Sequence, residues 1–341
     1  MAGHSDRGES GTAGWTVPGD ADDTGGTRRP GSPEGGTRPR RDTSGAGPRR
    51  DTRGIVLAPD LLARVRFRRR LPAEPLRRWV EHYWLIDWDL QEPYVSQVVP
   101  HPCVNLVFER RGPAGLAPGT GLVAGVGTGV FTTKLEGTGR VCGVQFRPGG
   151  FRPFLAQPRP LSTLTGRHLP LDEAFGTGGD ATSRVLGPGL EDDRVAALDA
   201  FLLALSPAPD PAADRAMALA HRVRADRSVL RVERLAADAG MSVRTLQRLF
   251  GTYVGVTPKW TILRYRVHEA MEHATAHPGT DWARLAAELG YSDQAHLVRD
   301  FTAAVGVTPS AYARAAAQAA PVRDVERGPG DEETVPGRAP S

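Results

Sequence analysis

Cysteine is nearly absent from this chain of 341 residues, which holds only Cys103 and Cys142. The two lie far apart and form no CxxC pair, which argues against a disulfide framework and a structural zinc finger and fits a reducing compartment. Lysine is as scarce: of 43 basic residues only Lys134 and Lys259 are lysine. The arginine bias goes with heavy use of alanine and glycine and by itself marks no partner. A net charge of +4 allows a nucleic-acid partner without requiring one. No apolar run approaches the roughly 18 residues of a membrane span, and the N-terminus lacks the hydrophobic segment of a signal peptide. These absences predict a soluble, cytoplasmic protein with no membrane partner. No P-loop, Ser-His-Asp pattern or paired-carboxylate arrangement stands out, and none of these chemistries is expected.

What is present falls into blocks. Residues 1–53 are mostly Gly, Pro, Thr, Asp and Arg, including the near-repeat "RPRRDT" and "GPRRDT". Such a stretch cannot bury enough apolar surface to offset its ordering entropy and is expected to be a disordered tail. Residues 317–341 read the same way. Residues 54–189 alternate short apolar stretches with Gly and Pro and predict a small β-rich domain. In "CVNLVFE" the side chains of Val104, Leu106 and Phe108 share one strand face, and in "RVCGVQFRP" Cys142, Val144 and Phe146 do. "LRRWVEHYWLIDWDL" predicts a short helix or turn running into a strand. "GLVAGVGTGV" is glycine-rich but lacks the following helix that a dinucleotide site needs. Residues 190–210 predict a helical linker, with Val195, Leu198, Leu202 and Leu205 at helical spacing.

The most informative feature is a repeat within residues 211–316. "LAADAGMSVRTLQRLFGTYVGVTP" and "LAAELGYSDQAHLVRDFTAAVGVTP" share Leu-Ala-Ala, a glycine, a serine, Leu-x-Arg-x-Phe and Val-Gly-Val-Thr-Pro. Gly240 and Gly290 stand where a turn between helices often needs positive φ. Ser242 and Ser292 are placed to cap the next helix. Leu246, Leu249 and Phe250 recur at i, i+3, i+4 and predict a core face, as do Leu297 and Phe301. Arg244, Gln247 and Arg248 then face outward, and so do Gln294, His296 and Arg299. Two helices joined by a tight turn, the second with a polar outer face, make a helix-turn-helix. Thr257-Pro258 opens a long connecting helix with its apolar stripe at Leu263, Val267, Ala270, Met271 and Ala274, and Thr308-Pro309 opens a final helix.

This segment resembles the DNA-binding domain of AraC/XylS-type transcription regulators, through both helix-turn-helix units, the connecting helix and the "GVTPSAYAR" ending. The resemblance implies two recognition helices, near 242–252 and 292–303, in adjacent major-groove segments of double-stranded DNA. Base-reading candidates are Arg244, Gln247 and Arg248 in the first and Gln294, His296 and Arg299 in the second. Arginine can pair with guanine O6 and N7, and glutamine with adenine N6 and N7. Ser242 and Thr245 suit phosphate contact or capping. Residues 211–316 hold 14 Arg or Lys against 10 Asp or Glu, a net of +4; the first reader carries two arginines and no acid, whereas Asp293 and Asp300 flank Arg299 in the second. The first head is therefore expected to contribute more electrostatic affinity.

"LPAEPLRRWVEHYWLIDWDL", "VVPHPCVNLVFE" and "GVQFRPGGFRPFL" resemble the N-terminal sensor of a subgroup of the same regulators. That resemblance implies a small β-barrel of cupin-like form that binds a small-molecule effector or forms a homodimer. The whole is expected to be a multidomain α+β protein, the β-rich domain preceding an all-α double helix-turn-helix domain. Asn105, Gln145 and Arg147 are the candidate effector-binding residues. RNA polymerase is the expected further partner of an activator. His101, Cys103 and Cys142 are a thin set for a soft metal, because buried cysteine ordinarily packs as a small apolar residue; no metal or other cofactor is expected. Two other readings stay open: a DNA-repair alkyltransferase-like protein using Cys103 of "PHPCVN", in which Val104 stands where an activating histidine belongs, and a helix-turn-helix module that binds protein. The expectation is a non-enzymatic regulator.

Overall fold

A computed structural model describes residues 54–113, 118–176, 180–277 and 279–318; the predicted tails lie outside these, apart from residues 317 and 318. A short helix α1 (Ala58–Leu62) leads into six strands, β1 (Arg66–Arg70), β2 (Val80–Val98), β3 (Asn105–Arg111), β4 (Gly119–Ala124), β5 (Phe131–Phe146) and β6 (His168–Pro170). The helices α2 (Leu171–Phe175), α3 (Ala181–Leu186) and α4 (Glu191–Ala204) follow. All strand pairs are antiparallel, in the order β1-β2-β5-β3-β4-β6. β2 and β5 run together almost end to end, with irregularities between Val80 and His82 and between Leu90 and Tyr94. The aromatic-rich stretch behaves as its composition predicts: a 3-10 turn at Glu74–Leu76, then β2.

The pleat sorts the side chains onto two faces. Tyr83, Leu85, Leu106, Phe108, Val123, Cys142, Val144 and Phe146 share one cluster with Phe175, Val185, Leu186, Val195, Leu198 and Leu202 of the covering helices. The alternation expected for Val104, Leu106 and Phe108 holds, since all three are buried. The other face packs Trp88 and Val141 against Ile55, Leu61 and Val65. Trp84 crosses this face over Gly143, where a Cβ would come within 2.0 Å of the indole, so only glycine fits.

Two features differ from expectation. No pairing joins β1 to β6 among the described residues, so the sheet stays open where the resemblance implies a closed barrel. β6 spans three residues and ends on Pro170, which has no N–H to give a ladder. The helix read as a linker, α4, lies against the sheet, and its Arg194 is 2% exposed. That burial is tolerable because Arg194 donates twice to Asp87, at 3.0 and 3.0 Å, and Arg140 Nε donates to the same carboxylate at 2.6 Å. Burial alone would raise the Asp87 pKa; the hydrogen bonds from Arg194 and Arg140 outweigh it and hold the carboxyl below its ordinary value.

Seven helices follow: α5 (Pro211–Ala225), α6 (Val232–Asp238), α7 (Val243–Tyr253), α8 (Pro258–Ala276), α9 (Trp282–Glu288), α10 (Gln294–Val305) and α11 (Pro309–Gln318). Thr257 caps α8 by accepting from Trp260 N, and Thr308 accepts from Ala311 N at the start of α11, as the Thr-Pro pairs predict. One core gathers α5 to α7 around Leu246 and Phe250, and another gathers α8 to α11 around Met271, Leu297 and Phe301. The stripe predicted on α8 is in place, but the opposite side of α8 is buried as well. Thr261, Arg264 and His268 are nearly inaccessible. Arg264 and His268 meet the sheet domain: Arg264 Nη2 donates to Thr128 O at 2.5 Å, and the His268 ring stacks on His101 with centroids 4.0 Å apart and planes 2° apart.

The joint is broad. Val126 belongs to the α5–α7 core and Val99 to the α8–α11 core. Arg224 of α5 donates to Glu81 of β2 at 3.0 Å, Thr165 Oγ1 donates to Gly255 O at 2.5 Å, and Arg152 lies over the Tyr253 ring at 4.9 Å.

Candidate nucleic-acid interface

Each helix pair is closed by the same backbone device. Met241 N donates to Ala236 O and Gly240 N to Ala237 O, both at 3.0 Å; Tyr291 N donates to Ala286 O at 2.9 Å and Gly290 N to Ala287 O at 3.1 Å. These paired bonds consume the last free carbonyls of α6 and α9 and require a left-handed residue at the penultimate position. Glycine supplies it, with φ of 63° at Gly240 and 75° at Gly290.

The turns set the following helices so that one face is buried. On α7, Leu246 and Phe250 are fully buried, while Ser242, Arg244, Thr245, Gln247 and Arg248 are exposed. Ser242 Oγ accepts from Thr245 N at 3.2 Å and contacts Thr245 Oγ1 at 2.9 Å, so both hydroxyls are engaged in the cap. The sheet domain holds the far end of α7 through Tyr253 and the following Gly255.

On α10, Leu297 and Phe301 are buried, Gln294 and Arg299 are exposed and His296 is half-buried. The cap is Asp293, not Ser292. Asp293 Oδ1 accepts from His296 N at 2.7 Å, and Ser292 Oγ donates to Asp293 Oδ2 at 3.1 Å. The sequence held the signal: the second copy has one extra residue between its serine and its leucine. Counting four back from Leu297 reaches Asp293, as four back from Leu246 reaches Ser242. The hydrogen bonds from His296 N and Ser292 hold the Asp293 carboxyl below its ordinary pKa. The histidine is held too: its ring meets Tyr291 edge-on at 5.1 Å, Nδ1 lies 3.3 Å from Ser292 Oγ, and Nε2 lies 3.5 Å from Asp300 Oδ2. By contrast Arg244, Arg248 and Arg299 are exposed and form no ion pair or hydrogen bond among the described residues.

Residues 235–315 match the model of a helix-turn-helix domain. The C-terminal segment therefore carries a helix-turn-helix domain. Residues 68–170 match a domain of unknown function (DUF6597). The chain is similar to a transcriptional regulator with an AraC-type DNA-binding domain from Chromobacterium violaceum, at 23% identity over 29% of this chain and 89% of that one, TM-score 0.27. It is also similar to ToxT from Vibrio cholerae, at 9% identity over 68% of this chain and 97% of that one, TM-score 0.38. A structure of ToxT with an unsaturated fatty acid bound gives 12% identity over 68% and 94%, TM-score 0.36. No curated protein matches the chain.

The residues named for an effector divide. Asn105 and Gln145 are cross-strand neighbours on β3 and β5, on the face that carries Trp84. Arg147 lies beyond the end of β5; its Nη1 meets Glu81 at 3.0 Å and its Nε donates to Arg77 O at 2.9 Å, at the edge facing α5. The structure thus brings the first two together and sets Arg147 apart. Cys103 is 3% exposed in the turn before β3, because the strand begins only at Asn105, and it accepts a long contact from Asn105 Nδ2 at 3.9 Å. Burial pushes the Cys142 thiol up to about 11, which keeps it protonated. No group of three metal-ligating side chains forms among the described residues. No described helix is long and apolar enough to cross a membrane.

Proposed function

We propose that this protein is a sequence-specific DNA-binding transcriptional regulator that reads two adjacent major-groove segments with α7 and α10. The observation that carries the reading is the pair of capped helices presenting unpaired Arg244, Arg248 and Arg299 beside exposed Gln247 and Gln294. A free guanidinium beside a glutamine amide suits direct readout of guanine and adenine edges. The 19-residue α8 between the heads spans about 28 Å, of the order of one turn of B-DNA. His296, held by Tyr291, Ser292 and Asp300, is a positioned donor for a phosphate or a base, and Ser242 and Thr245 suit phosphate contact at the mouth of the first head.

The sheet domain is the candidate sensor, with Asn105 and Gln145 on the face open to a small-molecule effector; no catalytic role is proposed for it. A homodimer and, for an activator, RNA polymerase in the bacterial cytoplasm complete the proposed partners. The test is a fluorescence-anisotropy titration of DNA from upstream of the protein's own gene across a salt series. Arg248→Ala should weaken binding by about 1–3 kcal/mol if it reads a base, or lower the salt slope by about 0.9 if it meets one phosphate. Unchanged affinity and slope would remove Arg248 from the interface. The same titration separates DNA reading from a protein-binding module, which would show no salt-dependent DNA affinity.

A further inference from the structure

The C-terminal end of α8 carries two histidines one helical turn apart, His273 in the last turn and His277 at the cap. Their ring centroids lie 4.4 Å apart, with the planes tilted by 30°. The hydrogen bonds around them fix both tautomers. His277 Nδ1 lies 3.2 Å from His273 O. A carbonyl oxygen only accepts, so this nitrogen carries a proton. His273 Nδ1 lies 3.2 Å from Thr280 Oγ1, and that hydroxyl gives its one proton to His277 O at 2.7 Å. Toward His273 the hydroxyl can therefore only accept, and the proton is again on Nδ1. In each neutral ring Nε2 is left with a bare lone pair, and neither Nε2 has a hydrogen-bond partner among the described residues. His277 is exposed and His273 half-buried, so solvent reaches the pair.

We propose that His273 and His277 together bind a divalent transition-metal ion of the zinc class through their two Nε2 atoms. A neutral imidazole presenting Nε2, with its Nδ1–H held by another group, is the form in which histidine ligates a metal. Two such rings on neighbouring turns can share one ion, and imidazole suits zinc and its neighbours rather than magnesium or calcium. The negative end of the α8 dipole lies beside the pair and favours a cation. Both Nε2 atoms are already unprotonated, so two imidazoles replace two waters of the hydrated ion and no proton leaves. Water fills the remaining positions, which makes this an open two-ligand site and not a closed structural zinc centre. His268 on the same helix takes no part, because its ring is buried against His101. The groups behind the rings extend the effect of the ion. Thr280 precedes Asp281, whose carboxylate caps α9 by accepting from Ala283 N at 3.0 Å and Arg284 N at 3.1 Å. An ion that fixes the rings also fixes Thr280 against the end of α8, and so braces the junction between α8 and α9. The site does not depend on the DNA reading.

The test uses the full chain and zinc ion alone, with no DNA present, followed by ¹H–¹⁵N NMR of the histidine side chains. Before zinc is added, both rings should show the Nδ1–H tautomer. On titration the two Nε2 resonances should move together and saturate, and amide exchange should slow at the end of α8 and the start of α9. His277→Ala should weaken zinc binding, read at His273, by more than about tenfold, and Thr280→Val by about tenfold, the usual cost of losing a group that orients a metal ligand. His277 is exposed, so its variant should fold, which the thermal midpoint without zinc will check. His221→Ala, which removes an exposed histidine on α5, should leave the titration unchanged. An Nε2–H tautomer in either ring, no saturable shift of the two rings together, or equal affinity in His277→Ala would overturn the assignment and leave the pair as a helix cap alone.

Discussion

Gly240 and Gly290 occupy equivalent places in two copies of one motif, so replacing each with alanine isolates what the surroundings contribute. Both sit at positive φ, 63° and 75°. A left-handed alanine costs about 1–2 kcal/mol, partly offset by about 0.4–1 kcal/mol from the stiffer unfolded chain. At Gly240 the new Cβ meets nothing within 4 Å, so the net loss should be about 1 kcal/mol. At Gly290 the Cβ would lie 2.6 and 2.7 Å from the two Leu230 methyls. Leu230 is 37% exposed and its tip can shift, but its carbonyl is held by Arg266 Nη2 at 2.8 Å. Overpacking of this kind adds about 1–3 kcal/mol, for a total of about 2–4 kcal/mol. Urea unfolding of the two variants measures the difference, and amide hydrogen exchange shows where it falls. Gly290→Ala should lose protection in α9 and α10, and Gly240→Ala in α6 and α7. Equal losses, or a larger loss at Gly240, would refute the claim that Leu230 makes the second turn the tighter one.

Further outcomes follow from the caps, the buried ion pair and the joint. Asp293→Ala should cost about 0.5–2 kcal/mol, while Ser292→Ala should stay within about 0.5 kcal/mol, both read by thermal unfolding. Arg194→Met should destabilise by about 3 kcal/mol, because Asp87 loses two of its three donated bonds in a half-buried place. The depressed Asp87 carboxyl contributes stability that is present above the unfolded value near 4 and lost as pH falls through the folded one; this acid sensitivity should shrink in the same variant. His268 has the parallel sign at higher pH. Burial, then the neighbouring His101 and Arg264, hold its folded pKa well below 6.5, so the unfolded chain takes up the proton first. Stability should fall as pH drops below 6.5, by at most about 1.4 kcal/mol per unit from this group, and His268→Leu should flatten that slope even if it lowers the plateau.

The helical half was legible because each of its devices leaves a local mark. A glycine at the turn, Thr-Pro at a helix start and Leu-x-x-x-Phe inward are all decided within a few residues. Repetition then checked each copy against the other. The misplaced cap shows the limit: Ser292 was matched by residue type, whereas the structure keeps the spacing to Leu297 and so selects Asp293. The open sheet and the docking of α4 were not legible, since both depend on partners distant in sequence. Arg194 stands among the charged residues that open α4, and only the fold sets it 3.0 Å from Asp87, 107 residues away. The second buried side of α8 was hidden for the same reason. Arg264 and His268 lie off the apolar stripe, and nothing local announces that Thr128 and His101 will cover them.

That covered face of α8 bears on how the protein can be dissected. A fragment beginning at residue 211 would keep every element of the double reader yet strip Val99, Val126, His101 and Thr128 from it. Arg264, whose pKa burial has already pushed down to about 10, would be left without the carbonyl it donates to. The helix that spaces the two heads would then be open to water along a side shaped for contact. Transplanting this reader onto another front domain therefore means carrying the loops around residues 99–103 and 126–128 along with it, because those few residues, and not the boundary in the sequence, mark where the module ends.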